Sequence, residues 1–320
     1  MSEINILEVG PRDGLQNESL TFSLKDKQEF VLKLASAGLK RIEIGSFVSV
    51  QAVPQMAETG SLVEHTLSLQ KAGVIPKDVQ FSALVPNRHG LIEAVNRGLQ
   101  EVAVFAGCSD SFSRKNINCS IEESFNIYVK VCEEALSKGL RVRGYLSVAF
   151  GCPFEGIVPE DRVVELIRKM KNMGVYEISL SDTMGMAHPA QVESLLTAVS
   201  KNISLKEIAL HFHDGQGLAF CNVWAAWKMG VTAFDGSVGG LGGCPYSPIS
   251  VGNIPTEGIL RLLGRQSEEK RINKLTDIIS WLEKKVGRPL SHRSTTSFSP
   301  AALKSLPFSV ASSNSSKKGM

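Results

Sequence analysis

RVRGYLSVAFGCPFEGIVPEDRVVELIRKMKNMGVYEISLSD, Arg141 to Asp182, sets two β-type runs on either side of one helical run. RVRGYLSVAF (141–150) is short, apolar and rich in β-formers. EDRVVELIRKMKNMG (160–174) repeats apolar residues at steps of three and four and closes on glycine, and YEISLSD (176–182) returns to the β pattern. Strand, helix and strand in succession predict a parallel pair of strands with the helix lying over them.

The same unit recurs outward in both directions. Further β-type runs stand at INILEV (4–9), RIEIGSF (41–47), VQFSALV (79–85), EVAVFAG (101–107), EIALHFH (207–213) and TAFDGSV (232–238), which makes eight with the first two. Helical runs fall between them, among them LKDKQEFVLKLASAG (24–38), GLIEAVNRG (90–98), IEESFNIYVKVCEEALSKG (121–139) and CNVWAAWKMG (221–230). Eight such units fit a closed (β/α)8 TIM barrel better than an open doubly wound sheet, and no G-x-G-x-x-G opens a helix after the first run. The expected barrel spans residues 1–290. A short C-terminal extension, the Ser-rich tail 291–320, is expected to be partly disordered, or to lie as an arm on the barrel or on a partner subunit.

Composition narrows the function. In 320 residues, 35 Lys and Arg nearly balance 32 Asp and Glu, and a net charge of +3 gives no broad basic surface for nucleic acid or an anionic membrane. No apolar run approaches the ~20 residues of a membrane span. The six cysteines include no C-x-x-C pair and read as reduced thiols, so the expected setting is cytoplasmic, with the chain entering its first strand pattern directly. The expected partner is a small molecule.

In a TIM barrel the chemistry sits just past the carboxyl ends of the strands. There the chain places Arg12 and Asp13 in GPRDG, Asp182 in SLSD, and His211 and His213 in HFHD, while Glu43 lies within the second run. Two residues apart on a strand, His211 and His213 point to one side. With Asp13 brought alongside by barrel closure and Asn253 as an oxygen ligand, they form a two-imidazole, two-oxygen set suited to Mg²⁺ or Mn²⁺. Each residue also has a plainer reading on its own. The histidines could be core residues, Arg12 and Asp13 a surface ion pair, Glu43 a structural carboxylate and Asp182 a helix cap. Cys244 could be a buried thiol, but GGLGGCPYSPISVGN (239–253) surrounds it with glycines and leaves little core to bury it in.

Eight collinear motifs settle between these readings. EVGPRDGLQNE (8–18), SFVSVQAVPQMA (46–57), ALVPNRHGL (83–91), SFSRKNINCSIEES (111–124), VRGYLSVAFGCPFEG (142–156), SLSDTMG (179–185), HFHD (211–214) and GLGGCPY (240–246) together resemble the hydroxymethylglutaryl-CoA lyase family. This family belongs to the wider group of metal-dependent barrel lyases and acyl-CoA condensing enzymes. The resemblance implies cleavage of 3-hydroxy-3-methylglutaryl-CoA to acetyl-CoA and acetoacetate with Mg²⁺ or Mn²⁺, a step of leucine degradation and ketone-body formation. Asp13, His211, His213 and Asn253 are then the metal ligands, and Arg12, Glu43, Asp182, His211 and Cys244 the catalytic set. Arg12 with Ser111, Arg114, Lys115 and Asn116 of a polar loop after the fourth strand would hold the acyl-CoA. A homodimer is the expected assembly.

The chain departs from the family pattern on and beside the glycine-rich loop. GQGLAFCN follows HFHD, ISVGN stands where Gly-Ala-Ser-Gly-Asn is usual, and PTEG replaces Ala-Thr-Glu-Asp. Ile249 at a usual glycine would stiffen the loop from Ser247 to Asn253. The C3 substituent of the substrate therefore stays open between methyl and a larger alkyl group. Two rival functions are a Claisen-type acyl-CoA condensing enzyme and a non-catalytic barrel that only binds a ligand.

Overall fold

A computed structural model describes residues 4–243, 252–264 and 268–290. Eight parallel strands close into a barrel in chain order: β1 (Asn5–Glu8), β2 (Arg41–Ser46), β3 (Gln80–Leu84), β4 (Glu101–Gly107), β5 (Arg141–Ser147), β6 (Glu177–Asp182), β7 (Ile208–Phe212) and β8 (Ala233–Gly236). β1 pairs with β8 over Asn5↔Ala233 to Glu8↔Gly236, which brings the first and last strands together and closes the ring. Between the strands lie α1 (Leu24–Ser36), α2 (Thr59–Lys71), α3 (Arg88–Asn96), α4 (Asp110–Ile117), α5 (Ile121–Ser137), α6 (Glu160–Asn172), α7 (Pro189–Ser200) and α8 (Ala219–Met229). α9 (Thr256–Leu263) and α10 (Glu269–Val286) follow the last strand. The tail expected at 291–320 lies outside the described residues.

Local chemistry sets the helix limits. Ser120 opens α5 with a reciprocal capping box to Glu123, and Gly230 ends α8 in the left-handed conformation at φ 105°. The SFSRKNIN segment, expected as a loop, is α4. Ser109 caps it by accepting a hydrogen bond from the Phe112 N–H, Asp110 stands in its first turn, and Asn118 terminates it at φ 56°. Those end signals outweigh the low apolar content that made the segment read as irregular.

The apolar core lies between strands and helices, with Phe30, Leu34, Ile42, Leu62, Val104 and Leu166 almost fully buried. Inside the ring the packing is of another kind. Arg143 of β5 donates from Nε to Glu177 of β6 (2.6 Å) and from Nη2 to Asp235 of β8 (2.7 Å). Arg41 of β2 reaches across to Glu177 with two hydrogen bonds (3.1 and 2.8 Å) and to the Tyr176 hydroxyl (2.7 Å). Contacts between strands that are not neighbours must pass through the interior, so ion pairs fill space that branched aliphatic side chains usually occupy. The carboxylates of Glu177 and Asp235 are held ionised. Burial, the largest influence, would raise both, but Arg143 with Arg41 at Glu177, and Arg143 with His211 and Ser179 at Asp235, together outweigh it, and Asp235 sits at about 2.

Below the mouth, Glu8 accepts the N–H groups of Gly10 (2.9 Å) and Val238 (3.0 Å) and the Thr256 hydroxyl (2.6 Å). Glu257 accepts the N–H of Gly239 (3.1 Å). These two buried carboxylates tie the turn after β1 to the base of the glycine-rich stretch. Burial pushes Glu8 up to about 7, against the pull of its hydrogen bonds.

Removing one member of the interior network leaves the others charged without a partner. Arg143→Met is expected to lower unfolding free energy by about 3–5 kcal/mol, as for other broken buried pairs. A urea titration reads this directly. A loss below about 1 kcal/mol would show that the interior charges do not depend on one another.

Candidate active site

The mouth at the carboxyl ends of the strands opens into a cavity of about 800 Å³. Gly10–Gly14 follows β1 as one wide helical turn, with Pro11 fixing its entry, and it presents Arg12 and Asp13 side by side. Gly10 has no room for a side chain there. A Cβ would lie 2.5 Å from the Glu8 carboxylate.

Arg12 is buried, and its Nε donates to Glu43 Oε1 (2.5 Å) while Nη1 pairs with Asp13. Glu43 is fully buried on β2, and its other oxygen accepts the Tyr145 hydroxyl (2.5 Å). The Arg12 guanidinium also stands 5.2 Å from the centre of the Tyr145 ring. Burial would lower the Arg12 pKa, but Glu43 and Asp13 more than reverse this and hold the group charged. The pair read from sequence as a candidate surface ion pair is thus enclosed.

His211 on β7 and His213 just past its end are both buried, with their Nε2 atoms 3.2 Å apart. Asp13 Oδ2 lies 3.8 Å from His211 Nε2 and 4.0 Å from His213 Nε2. Asn253 arrives from beyond β8 because its backbone bridges to His213 and the Ile254 N–H reaches the Phe212 carbonyl (3.0 Å). Its Nδ2 donates to Asp13 Oδ2 and to the Leu241 carbonyl, each at 3.0 Å, while its buried Oδ1 has no hydrogen-bond partner among the described residues. Burial would raise the Asp13 carboxyl, but Arg12 and both histidines hold it well below the ordinary range. Asp13, His211 and His213 can offer ligand atoms all within 4.8 Å of one another, and the orphaned Asn253 oxygen adds a fourth. The set fits a divalent cation with room for a bidentate oxygen ligand.

Asp182, at the end of β6, accepts the N–H groups of Met186 (3.0 Å) and Ala187 (2.9 Å) and so holds the following loop, whereas the cap of α7 is His188. Burial pushes its carboxyl up to about 6, with those N–H groups pulling the other way. Its neighbours Ser181 and Thr183 line the cavity. On α4, Asn116 lines the cavity too, but Ser111, Arg114 and Lys115 are not part of the lining. The Ser111 N–H is taken by Glu155 (2.7 Å), and Lys115 lies over the Phe154 ring at 3.8 Å. Cys244, with Ser247 and Ile249, lies outside the described residues. Gly243, immediately before Cys244, lines the cavity, and its carbonyl accepts from Asn17 Nδ2 (2.6 Å).

The sequence reading missed Tyr145, Arg143 and Asp235. All three share the inward phase of their strands with Glu43 and His211, and a polar residue at an interior position of a barrel strand is the signal that marks them.

The HMGL-like family model matches residues 3–283. The chain is 42% identical over 298 residues to the hydroxymethylglutaryl-CoA lyase of Bacillus subtilis, covering 92% of this chain and 97% of that one. It is 44% identical over 261 residues to the 3-hydroxy-3-isohexenylglutaryl-CoA/hydroxy-methylglutaryl-CoA lyase of Pseudomonas aeruginosa, covering 82% and 85% of the two chains. The crystal structure of the Bacillus subtilis HMG-CoA lyase superposes with a TM-score of 0.85 at 41% identity, over 92% and 97% of the chains.

Asn253 is placed by a glycine. Gly242 adopts φ 115°, and a Cβ there would stand 2.7 Å from Asn253 Nδ2. Gly242→Ala is expected to displace the carboxamide and weaken Mn²⁺ binding about tenfold or more, measured by electron paramagnetic resonance of free Mn²⁺. Unchanged affinity would show that Asn253 is not a ligand.

Proposed function

The chain belongs to the HMGL-like family, and on that footing we propose that it is a divalent-metal-dependent carbon–carbon lyase converting 3-hydroxy-3-methylglutaryl-CoA to acetyl-CoA and acetoacetate. The observation that carries the reading is the convergence of Asp13, His211, His213 and the Asn253 oxygen at one wall of the cavity, beside the Arg12–Glu43–Tyr145 chain. The names of the similar lyases agree with it. A barrel over residues 1–290 as the catalytic unit is part of the same proposal.

Asp13, His211, His213 and Asn253 would hold Mg²⁺ or Mn²⁺. Abundance favours Mg²⁺, and the imidazoles favour Mn²⁺. Bound there, the ion supplies Lewis-acid polarisation of the substrate's tertiary hydroxyl and free carboxylate. Asp182 takes the hydroxyl proton. Its carboxylate keeps lone pairs beyond those given to Met186 and Ala187, and a pKa of about 6 leaves it ionised at neutral pH. His211 is the other candidate base, but its Nε2 faces the metal set. The new carbonyl forms at C3, the C2–C3 bond breaks, and its electron pair passes to the thioester as an enolate. Arg12 donates to that oxygen, with Glu43 and Tyr145 holding the guanidinium in place. Cys244 returns a proton to C2, which releases acetyl-CoA and leaves acetoacetate. Arg114, Lys115 and Asn116 would meet the CoA moiety at the rim, with Asn116 nearest the cavity.

A second reading, a 3-hydroxy-3-alkylglutaryl-CoA with a longer C3 chain, is supported by one wall of the cavity. Val48, Leu84, Phe105, Phe112 and Ile127 give it an apolar side. A homodimer in the cytoplasm is proposed for the working form. Among the described residues no helix is long and apolar enough to cross a membrane, and five free cysteines accord with reduced thiols.

The test is release of acetyl-CoA from a panel of 3-hydroxy-3-alkylglutaryl-CoA esters with Mg²⁺ or Mn²⁺. Activity is expected to vanish in chelator and return with metal, and turnover in excess chelator would overturn the metal assignment. Arg12→Gln is expected to lower kcat by about 10²-fold or more with a smaller change in KM. An effect on KM alone would make Arg12 a binding residue. Because the base must be deprotonated, kcat/KM is expected to rise with pH through about 6 and then level, and Asp182→Asn to lower kcat about 10²- to 10⁴-fold. A flat profile from pH 5 to 7 would assign the proton to another group. Cys244→Ser is expected to keep metal affinity and lose most turnover, because serine is the weaker acid. Normal turnover would exclude the thiol as proton donor.

A further inference from the structure

His211 needs its Nε2 free of a proton to serve as a ligand, and in a neutral imidazole this requires the proton to sit on Nδ1. Behind the ring, on the neighbouring strand and in direct register, stands Asp235. Its Oδ2 lies 3.4 Å from His211 Nδ1, a buried nitrogen that makes no hydrogen bond among the described residues. Asp235 is 1% exposed and does not line the cavity. Both its oxygens are fixed, Oδ1 by Arg143 Nη2 (2.7 Å) and Oδ2 by the Ser179 hydroxyl (2.8 Å). Arg143 is held in turn by Glu177, and Glu177 by Arg41. The other face of the imidazole meets Tyr145 edge-on, with ring centres 6.2 Å apart. The ring is therefore bounded on one side by a carboxylate that cannot turn away and on another by an aromatic wall.

We propose that Asp235 is a positioning residue for His211. Fixed by Arg143 and Ser179, it accepts the Nδ1–H of the imidazole, selects that tautomer and aims Nε2 at the divalent ion. The inference rests on reading Asp13, His211, His213 and Asn253 as the metal set. It adds the reason why the interior of the barrel carries charge: the ion pairs from Arg41 to Asp235 end on a metal ligand. His211 Nε2 and His213 Nε2 stand 3.2 Å apart, and a proton on His211 Nδ1 makes His211 the acceptor of any hydrogen bond between them.

Two measurements on the full chain test this. Two-bond ¹H–¹⁵N spectra of the metal-free wild type, with the His211 signals assigned by their loss in His211→Gln, are expected to show a proton on Nδ1. A proton on Nε2 overturns the inference. Titration with Mn²⁺ alone is expected to give an affinity about 10- to 100-fold weaker in Asp235→Asn, together with a shift of His211 toward the other tautomer. Equal affinity in a folded Asp235→Asn protein also overturns it. Should that variant fail to fold, Ser179→Ala removes the hydrogen bond to Oδ2 and leaves the ion pairs intact. A several-fold weaker Mn²⁺ affinity then supports the role, and an unchanged one overturns it. A wild type that binds no Mn²⁺ while His211 keeps its Nδ1 proton sinks the metal reading alone.

Discussion

A guanidinium with almost no access to water sets the terms for the inside of this barrel. Arg143 can stay charged there only because Glu177 and Asp235 both meet it, and each carboxylate is then drawn into a second obligation, Glu177 to Arg41 and Asp235 to Ser179 and His211. The interior is therefore arranged by hydrogen-bond geometry rather than by the volume of branched side chains. Strands on opposite sides of the ring are held at distances that carboxylate and guanidinium forks dictate. His211, at the mouth beside Asp235, stands at the upper end of this network, and the Arg12–Glu43–Tyr145 set lies next to it.

Much of this was legible in the sequence because the period of a strand is two and that of a helix is 3.6. The βαβ alternation through Arg141–Asp182 and its recurrence led to a closed barrel, and the polar residues past the strand ends led to Asp13, His211 and His213. Asn253 was read as an added oxygen ligand and again from the family resemblance, but its fixing by Gly242 could not be, since a positive φ and a close approach are visible only in space. The interior network was illegible for a different reason. A charged residue inside a strand run, such as Arg143 or Asp235, looks the same as one facing solvent until the phase of every strand is set against its neighbours. α4 was misread because its end residues, Ser109 and Asn118, carry more information than the polar stretch between them.

The two faces of the cavity divide the labour of recognition. The wall made by β1, β7 and the segment after β8 is charged and bound by hydrogen bonds to rigid strands. The wall contributed by β3, β4 and the segments after β2 and β4 is apolar and takes no part in the charged network. A family with one chemistry and several acyl groups would be expected to keep the first wall and vary the second.

The candidate metal set spans the seam where β1 meets β8, with Asp13 and Asn253 separated by 240 positions in the chain and 3.0 Å in space. A ribosome releases the first long before it makes the second. While the chain is being synthesised, an ion can find at most one carboxylate and, later, a pair of imidazoles. It therefore cannot act as a template around which the early strands assemble. Order must run the other way, with ring closure by the last strand bringing Asn253 to Asp13.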